Sequence, residues 1–270
     1  MARRPVALTI AGSDSSGGAG VVADLKTFEA HDVWGTAAIT AVTAQNTLGV
    51  QAVETLTSEV VRAQIMSVVA DLGVDAAKTG MLASAEIVEA VVRTVVELGV
   101  RPLVVDPVMV ASAGGRLLDP DAVGAVVGLL LPRATVLTPN LAEAGVLVGF
   151  EVTDRAAMER AARVLADMGP DVVLVKGGHL AGDTSPDCLL VGGEAPVWLE
   201  GPRLPANGAH GSGCVLSAAI CAELARGMEP ADASVAAKRF VARAIEAGPV
   251  LGAGVVPVDP GWSRSQERLG

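Results

Sequence analysis

Short apolar runs rich in β-branched residues alternate with longer helical patterns along most of this chain. Residues 6–11 and 102–106 are runs of the buried-strand type, whereas residues 20–30 and 84–98 carry apolar side chains at helical spacing. A strand that is apolar on both faces must be covered by helices on both sides. The alternation therefore predicts an α/β fold, a three-layer domain in which a mostly parallel sheet has helices on both faces.

The same criteria give the remaining elements. We predict further strands at residues 36–43, 76–79, 135–138 and 172–176, and an antiparallel pair at 188–191 and 196–200 around Gly192-Gly193. Further helices are predicted at residues 59–71, 121–131, 156–168, 213–226 and 231–247. Ser84 and Asp154 are the N-cap candidates for two helices. Without a repeat or a break in composition, residues 1–270 are predicted to form one domain with an irregular tail from about 249.

Composition excludes several classes of partner. The chain has 270 residues, 51% of them hydrophobic, and 30 acidic residues against 20 basic ones leave a net charge of −10. A chain this acidic has no broad basic face for a nucleic-acid backbone or an anionic membrane. Aromatic residues make up 2% of the sequence, too few for a base-stacking platform. Its apolar runs, such as 214–222, are also shorter than the roughly 20 residues of a membrane span.

The cysteines point to a reducing compartment. Cys188, Cys214 and Cys221 are an odd set without CxxC spacing. Cys214 and Cys221 lie on one predicted helix, where seven residues separate them by roughly 10 Å, too far for a disulfide. The sequence therefore predicts a cytoplasmic protein.

The first glycine-rich loop raises the hypothesis of a nicotinamide-dependent oxidoreductase. Gly18-Ala19-Gly20-Val21-Val22-Ala23 follows a strand and opens a helix, as the dinucleotide pattern GxGxx(G/A) requires. That pattern also needs an acid at the end of the second strand to hold the ribose. Here the second strand runs into Thr43-Ala44-Gln45-Asn46, which weighs against this hypothesis. No GxxxxGK[ST] occurs either, so a P-loop is excluded.

A second glycine-rich loop has the composition of an anion site. Gly208-Ala209-His210-Gly211-Ser212-Gly213-Cys214 ends where an apolar helix begins. Its backbone amides would converge at a helix N-terminus, where the dipole favours the charge of a phosphoryl group. Cys214 would there have a lowered thiol pKa and could act as a base. The alternative, tight helix packing with Cys214 as a buried apolar residue, stays open on these residues alone.

A family resemblance covers nearly the whole chain. Its motifs, in chain order, are Gly12-Ser13-Asp14-Ser15-Ser16-Gly17-Gly18-Ala19-Gly20, Thr43-Ala44-Gln45-Asn46-Thr47, Ala77-Lys78-Thr79-Gly80-Met81, Val105-Asp106-Pro107-Val108-Met109-Val110, Thr138-Pro139-Asn140-Leu141-x-Glu143-Ala144, Val175-Lys176-Gly177-Gly178-His179 and Gly211-Ser212-Gly213-Cys214. The sequence resembles the hydroxymethylpyrimidine/phosphomethylpyrimidine kinases of thiamine biosynthesis. This resemblance implies a ribokinase-like fold, a homodimer, and ATP- and Mg-dependent phosphorylation of 4-amino-5-hydroxymethyl-2-methylpyrimidine and of its monophosphate.

The resemblance also assigns a substrate pocket. Gln45 has the amide donors and acceptor that suit an aminopyrimidine, although it could instead bond a neighbouring loop. Met81 and Val108 would form apolar walls, with Gly12 beside them. Asp24 would accept a hydrogen bond from substrate, or be only an exposed acid in the first turn of its helix.

The phosphate side of the site follows from the same motifs. Cys214 would remove the hydroxymethyl proton above an anion loop of Gly211, Ser212 and Gly213. Lys176 would reach the ATP phosphates, or be the solvated end of a strand. Asn140 and His210 are assigned to ATP binding, and Asp106 and Glu143 to Mg. Asn140-x-x-Glu143 is also a capping-box pattern that needs no metal, and the two roles can coexist.

Two further interpretations remain open. A pyridoxal kinase of the same superfamily branch would handle a similar flat heteroaromatic bearing a hydroxymethyl group. A paralogue that binds a pyrimidine without efficient turnover is suggested by Gly208-Ala209, where the family usually presents Asn-Thr before the histidine. The oxidoreductase is the rival from another class.

Overall fold

A single continuous sheet runs through the protein. The computed structural model describes residues 3–109, 118–119, 121–204 and 209–262, and within them the sheet has nine strands. The strands are β1 (Val6–Asp14), β2 (Trp34–Asn46), β3 (Gly49–Thr55), β4 (Ala76–Thr79), β5 (Leu103–Val105), β6 (Val136–Leu137), β7 (Val172–Val175), β8 (Asp187–Val191) and β9 (Val197–Leu199). Their spatial order is β3-β2-β1-β4-β5-β6-β7-β8-β9.

Six neighbouring strands of this sheet are parallel. β2, β1, β4, β5, β6 and β7 pair in parallel, so their carboxyl ends meet along one edge. The antiparallel pairings lie at the two sides, β2 with β3 on one side and β7 with β8 and β9 on the other. The predicted mostly parallel sheet is confirmed, as is the antiparallel pair around Gly192-Gly193.

Helices cover both faces of the sheet. They are α1 (Gly20–Ala30), α2 (Ser58–Leu72), α3 (Ala85–Glu97), α4 (Ala122–Ala125), α5 (Leu141–Val148), α6 (Arg155–Ala166), α7 (Ser212–Ala225) and α8 (Pro230–Glu246). Side chains of α2, α3, α4, α5 and α6 share one buried core with the sheet, and those of α1, α7 and α8 share the other. The three-layer α/β architecture predicted from the alternating pattern is confirmed.

The predicted helix starts agree with the caps. The Ser84 hydroxyl accepts the Ile87 amide proton at the start of α3, and the Asp154 carboxylate accepts that of Ala157 at the start of α6. Short polar side chains at these positions satisfy amides that have no partner inside the helix. Local sequence is therefore sufficient to start both helices.

Three elements differ from the sequence prediction. β3 was not predicted because it is an edge strand exposed along most of its length, so it lacks the buried apolar run of the inner strands. α5 was not predicted as a helix, although its capping box was. The helix predicted at 121–131 begins as α4, widens to a π-helical turn at Val126–Leu130 and ends in a 3₁₀ turn at Leu131–Arg133, where Pro132 has no amide proton to continue the ladder.

The segment after α8 is irregular, as predicted, but it is bound to the rest of the chain. The His210 amide donates to the Val256 carbonyl at 3.1 Å, and the Val258 amide donates back to His210 at 3.2 Å. The Val255 amide donates to the Thr47 carbonyl at 2.9 Å, in the turn between β2 and β3. Residues 263–270 of this predicted tail lie outside the described ranges, so a single domain over 1–270 stays a prediction.

Among the residues described, none of the helices combines the length and the hydropathy that a bilayer crossing requires.

Candidate active site

A cavity of about 220 Å³ opens at the carboxyl ends of the parallel strands. Ligands in open α/β sheets bind at this edge, because strand ends and helix starts converge there. Thirteen of the fourteen residues predicted for the site line this cavity, namely Gly12, Gln45, Met81, Asp106, Val108, Asn140, Glu143, Lys176, His210, Gly211, Ser212, Gly213 and Cys214. The motifs that are scattered along the sequence are therefore neighbours in space.

The anion loop reaches α7 through a left-handed glycine. Gly211 is the N-cap of α7 with φ +82°, and a Cβ added to it would overlap the carbonyl oxygen of Gly18. Only glycine fits this close approach. The amides of Gly213 and Cys214 lie in the first turn of α7, where backbone amides have no hydrogen-bond partner within the helix. They are therefore donors for an anion at the positive end of the helix dipole. Gly208, in the altered run before this loop, lies outside the described residues.

Lys176 follows β7 and is paired, not solvated. Its Nζ lies 3.0 Å from Asp106 Oδ1, and its side chain is 15% exposed. A Cβ added to Gly213 would lie 3.2 Å from that Nζ, so the ammonium abuts the first turn of α7. Burial opposes the charge, but Asp106 and Glu143 outweigh it and raise the pKa of Lys176 above its usual value. A permanent cation therefore stands beside the anion loop.

Asp106 is held from three sides directly after β5. Besides Lys176, the Thr138 hydroxyl donates to its Oδ1 at 3.1 Å and the Ser217 hydroxyl to its Oδ2 at 3.2 Å. Burial opposes ionisation, but Lys176 and Lys78 lower the pKa of Asp106 below its usual value. The carboxylate is therefore charged at neutral pH.

Glu143 forms the capping box that the sequence pattern suggested. Its Oε2 accepts the Asn140 amide proton at 2.8 Å, and Asn140 Oδ1 accepts that of Glu143 at 2.9 Å. Burial, opposed by Lys176, raises the pKa of Glu143 to about 7. This carboxyl both caps α5 and lines the cavity, poised between its neutral and charged forms.

Cys214 differs from expectation in its ionisation. Burial, opposed by Lys78, raises the thiol pKa to about 11 although the residue lies in the first turn of α7. The Gly20 amide donates to its sulfur and also favours the thiolate, but burial outweighs both. The predicted lowering of this pKa by the helix terminus is therefore wrong for the structure, and Cys214 is a thiol at neutral pH.

The opposite wall carries the predicted substrate residues. Gln45 lies near the end of β2, its Oε1 3.2 Å from the Thr43 hydroxyl and its Nε2 3.3 Å from His210 Nε2. Its backbone is bonded to Ser15, so the neighbouring-loop alternative describes the main chain while the carboxamide lines the cavity. Met81 is nearly buried, and its Cε would lie 3.0 Å from a Cβ added to Gly12. The predicted substrate residues therefore place one carboxamide next to apolar surface.

Asp24 is placed differently from both expectations. It is neither a wall of the cavity nor an exposed acid, because its side chain is fully buried. Both carboxylate oxygens lie 3.0 Å from Lys78 Nζ, and the Thr9 hydroxyl donates to Oδ2 at 2.6 Å. Its carboxylate oxygens are thus bonded to Lys78 and Thr9, and Asp24 is not among the residues that line the cavity.

Lys78 and Asp14 are site residues that sequence reasoning missed. Lys78 lines the cavity yet is fully buried, and the carboxylates of Asp24 and Asp106 outweigh burial and raise its pKa above the usual value. The signal was a lysine within a buried strand of a chain that has four lysines. Asp14 ends β1, and its only signal was membership of the first motif.

A second, larger space adjoins the cavity. An open groove of about 1680 Å³ runs between the start of α5 and the helices α7 and α8. The cavity and the groove share Asn140, Lys176, Gly178, His179, His210, Ser212 and Gly213. A small ligand in the cavity and a large one in the groove would therefore meet at Lys176 and the anion loop.

The buried Asp24–Lys78 pair predicts a strong effect on stability. Lys78→Met leaves the buried Asp24 carboxylate with the Thr9 hydroxyl but without its cation, so we expect a loss of about 3–5 kcal/mol in the free energy of unfolding, measured in urea. The double variant Lys78→Met/Asp24→Leu removes both charges and should recover most of that loss. Equal destabilisation of the single and double variants would contradict the pairing.

The raised pKa of Cys214 predicts slow alkylation. At pH 8 iodoacetamide should modify Cys214 about two orders of magnitude more slowly than free cysteine, since only the thiolate reacts. The rate should rise tenfold per pH unit towards a pKa of about 11. Peptide mass spectrometry separates Cys214 from the buried Cys188 and Cys221. A rate that levels off near pH 7 would instead support a lowered pKa.

Comparison with known proteins finds relatives that match nearly the whole sequence. A protein-family model described as phosphomethylpyrimidine kinase matches residues 14–259. A hydroxymethylpyrimidine/phosphomethylpyrimidine kinase of Streptomyces coelicolor is 49% identical over 259 residues, which cover 96% of this chain and 95% of the relative.

Solved structures add the fold. The pyridoxal kinase of Staphylococcus aureus, in complex with AMP-PCP and pyridoxal, superposes with a TM-score of 0.90 at 38% identity over 97% of this chain and 95% of its own. The phosphomethylpyrimidine kinase of Clostridium difficile 630 gives a TM-score of 0.78 at 40% identity, covering 89% of this chain and 99% of its own. The fold is thus ribokinase-like. With a family model matched over most of its length and a relative at 49% identity, the chain belongs to the phosphomethylpyrimidine kinase family.

Proposed function

We propose that this protein is an ATP-dependent kinase that phosphorylates 4-amino-5-hydroxymethyl-2-methylpyrimidine and then its monophosphate, in thiamine diphosphate biosynthesis. The observation that carries the proposal is the junction of the cavity and the groove at Lys176 and the anion loop. Phosphoryl transfer needs an acceptor and a nucleotide held in line on either side of a cation and amide donors. Membership of the family supports the substrate.

Gln45 is the residue we assign to pyrimidine recognition. A carboxamide offers one acceptor and two donors, which match the exocyclic amine and a ring nitrogen of an aminopyrimidine. Met81 and Val108 line the same cavity and supply apolar surface for the faces of a flat ring. With a volume of about 220 Å³, the cavity suits one small heterocycle and not a nucleotide.

Lys176 and the anion loop are the groups we assign to the moving phosphoryl group. The ammonium is held by Asp106 and abuts Gly213, so it is preorganised beside the amides that begin α7. Preorganised donors of this kind act on charge as it develops in the transition state. Asn140 and His210 line both spaces, which supports a role in holding the nucleotide.

Cys214 is the residue we assign to the hydroxymethyl proton. It lines the cavity in the first turn of α7, beside the amides proposed to hold the phosphoryl group. At neutral pH Cys214 is mostly the thiol. Only its small thiolate fraction, which Lys78 and the Gly20 amide increase, can accept the proton. The loose transition state of phosphoryl transfer asks little of a base, and most of the rate enhancement then comes from positioning and charge.

Asp106 and Glu143 fit a magnesium ion bound largely by nucleotide oxygens and water. Among the described residues no three His, Cys, Asp or Glu side chains form a metal cage, and kinases commonly hold Mg²⁺ with one or two carboxylates. Both carboxyls line the cavity, and the Glu143 pKa of about 7 leaves a group that a nearby cation would ionise. Bound there, the ion would neutralise charge on the transferred group.

The test offers three acceptors separately to the purified protein. ATP consumption is measured with hydroxymethylpyrimidine, its monophosphate and pyridoxal, each with Mg²⁺. We expect turnover of the first two. The pyridoxal kinase alternative is favoured by one observation, the TM-score of 0.90 to the Staphylococcus aureus enzyme, and turnover of pyridoxal alone would establish it. Turnover of none would support a paralogue without efficient catalysis.

Two variants separate binding from chemistry. Gln45→Ala should raise KM for the pyrimidine by 10-fold or more, because a buried substrate amine loses its partner. Cys214→Ala should leave pyrimidine affinity unchanged and lower kcat by about 10²-fold, the lower end of a proton acceptor's contribution, because the loose transition state asks little of a base. An unchanged kcat for Cys214→Ala would show that this residue packs the site and does not take the proton.

We further propose that the protein is a homodimer formed through the β2–β3 hairpin. Leu48 is 68% exposed at its turn, and Val42 and Val53 are nearly half exposed along its strands. β3 also leaves one edge without a strand partner in the described sheet, which invites a second copy of the chain. In light scattering, Leu48→Asp/Val53→Asp should be a monomer and the matched surface variant Val96→Asp a dimer. A monomeric wild type would contradict the proposal.

The compartment follows from the cysteines. All three are free thiols in the structure, and no two of them are bridged. Free cysteines suit a reducing environment, so we propose that the protein works in the cytoplasm.

A further inference from the structure

His210 stands where the cavity and the groove meet. Its side chain is 4% exposed, and it lines both spaces. Its Nε2 lies 2.9 Å from Asp14 Oδ2, whereas Nδ1 is buried and has no hydrogen-bond partner among the described residues. A buried imidazole nitrogen without a partner is costly unless a ligand supplies one.

Asp14 fixes the orientation of that imidazole. Its Oδ1 accepts the amide and hydroxyl protons of Ser16 at 2.8 and 2.7 Å, and its Oδ2 accepts the Ala19 amide proton at 3.0 Å. Burial opposes ionisation, but the bonds from His210 and Ser16 lower the pKa of Asp14. The charged carboxylate therefore accepts a hydrogen bond from Nε2–H and ties His210 to the loop after β1.

The loop after β1 and the anion loop are packed directly on each other. A Cβ added to Gly18 would lie 2.7 Å from His210 Cδ2, and one added to Gly211 would overlap the Gly18 carbonyl. The His210 backbone is also bonded on both sides to the segment Val256–Val258 through its amide and its carbonyl. His210, the loop after β1 and the start of α7 therefore form one closely packed unit.

Gln45 connects this unit to the pyrimidine wall. Its Nε2 lies 3.3 Å from His210 Nε2, and because both nitrogens are donors when Nε2–H faces Asp14, this is an unfavourable contact and not a hydrogen bond. Its Oε1 lies 3.2 Å from the Thr43 hydroxyl. A ligand that turns the Gln45 carboxamide therefore changes the contact with the imidazole. The backbone of His210 continues directly into the anion loop, of which Ser212 and Gly213 line the groove.

We propose that His210, oriented by Asp14, is a positioning residue that couples the two sites, so that a pyrimidine in the cavity increases the affinity of the groove for nucleotide. The inference rests on the proposed function, because it needs both ligands. Coupling of this kind is reciprocal, so nucleotide must strengthen pyrimidine binding by the same factor.

Calorimetric binding without turnover tests the coupling. The affinity for ADP with Mg²⁺ is measured with and without saturating hydroxymethylpyrimidine, and the reverse titration checks reciprocity. The coupling ratio is the affinity for ADP with hydroxymethylpyrimidine divided by the affinity without it. For the wild type we expect a ratio of about 5-fold or more, the lower end of typical coupling. The near-isosteric Asp14→Asn should bind each ligand alone but lower this ratio towards one. His210→Gln should weaken ADP binding, because the residue lines the groove, and should also lower the ratio.

Ser16→Ala is the matched control. It removes one bond to Asp14 Oδ1 and leaves the His210–Asp14 contact in place, so its ratio should equal that of the wild type. A purely structural role would lower the thermal stability and both affinities of His210→Gln without changing the ratio, which would overturn the inference, as would a wild-type ratio of one. Failure of the wild type to bind hydroxymethylpyrimidine would instead refute the proposed function, and this inference with it.

Discussion

Two buried lysine–aspartate pairs organise the carboxyl edge of the sheet. Lys176 with Asp106 faces the ligand space, and Lys78 with Asp24 lies beneath it. In a chain of net charge −10 with four lysines, two of the lysines stand here, each held beside an aspartate. A buried pair adds little net stability compared with apolar residues, but it fixes charges in a low-dielectric site, where they act strongly on a phosphoryl group.

A close backbone contact between two glycines completes that edge of the sheet. The anion loop can lie against the loop after β1 only because Gly18 and Gly211 have no side chains at the point of contact. Close backbone contact brings the start of α1, which carries Gly20, near the start of α7, which carries Cys214. Cys214 thus accepts a hydrogen bond from the Gly20 amide and lies near the positive charge of Lys78. Both lower its pKa, yet burial raises it by more. Desolvation, which a linear motif cannot display, reversed the expected direction of the pKa shift of this thiol.

Prediction succeeded where the signal was local or carried by a long motif. The inner strands, the caps at Ser84 and Asp154 and most helix bounds follow from neighbouring residues. All predicted site residues but Asp24 gathered in one cavity, because most of their motifs lie at the ends of parallel strands and the anion loop begins α7 at the same edge. β3 escaped prediction since an exposed edge has no buried pattern. Asp24 was misplaced because α1 turns it inward onto β4, which its position in sequence does not reveal.

The sequence by itself determined the layered α/β fold, the family and the chemical inventory of the site, because these depend on periodicity and on motifs in order. Only the tertiary structure decided which charges pair, which thiol is protonated, and that His210 touches both Asp14 and Gln45 across 196 and 165 residues of chain. Such contacts arise from packing between distant segments, and burial and distance set their strength. The acidic, lysine-poor composition became informative once two lysines were found buried beside the anion loop.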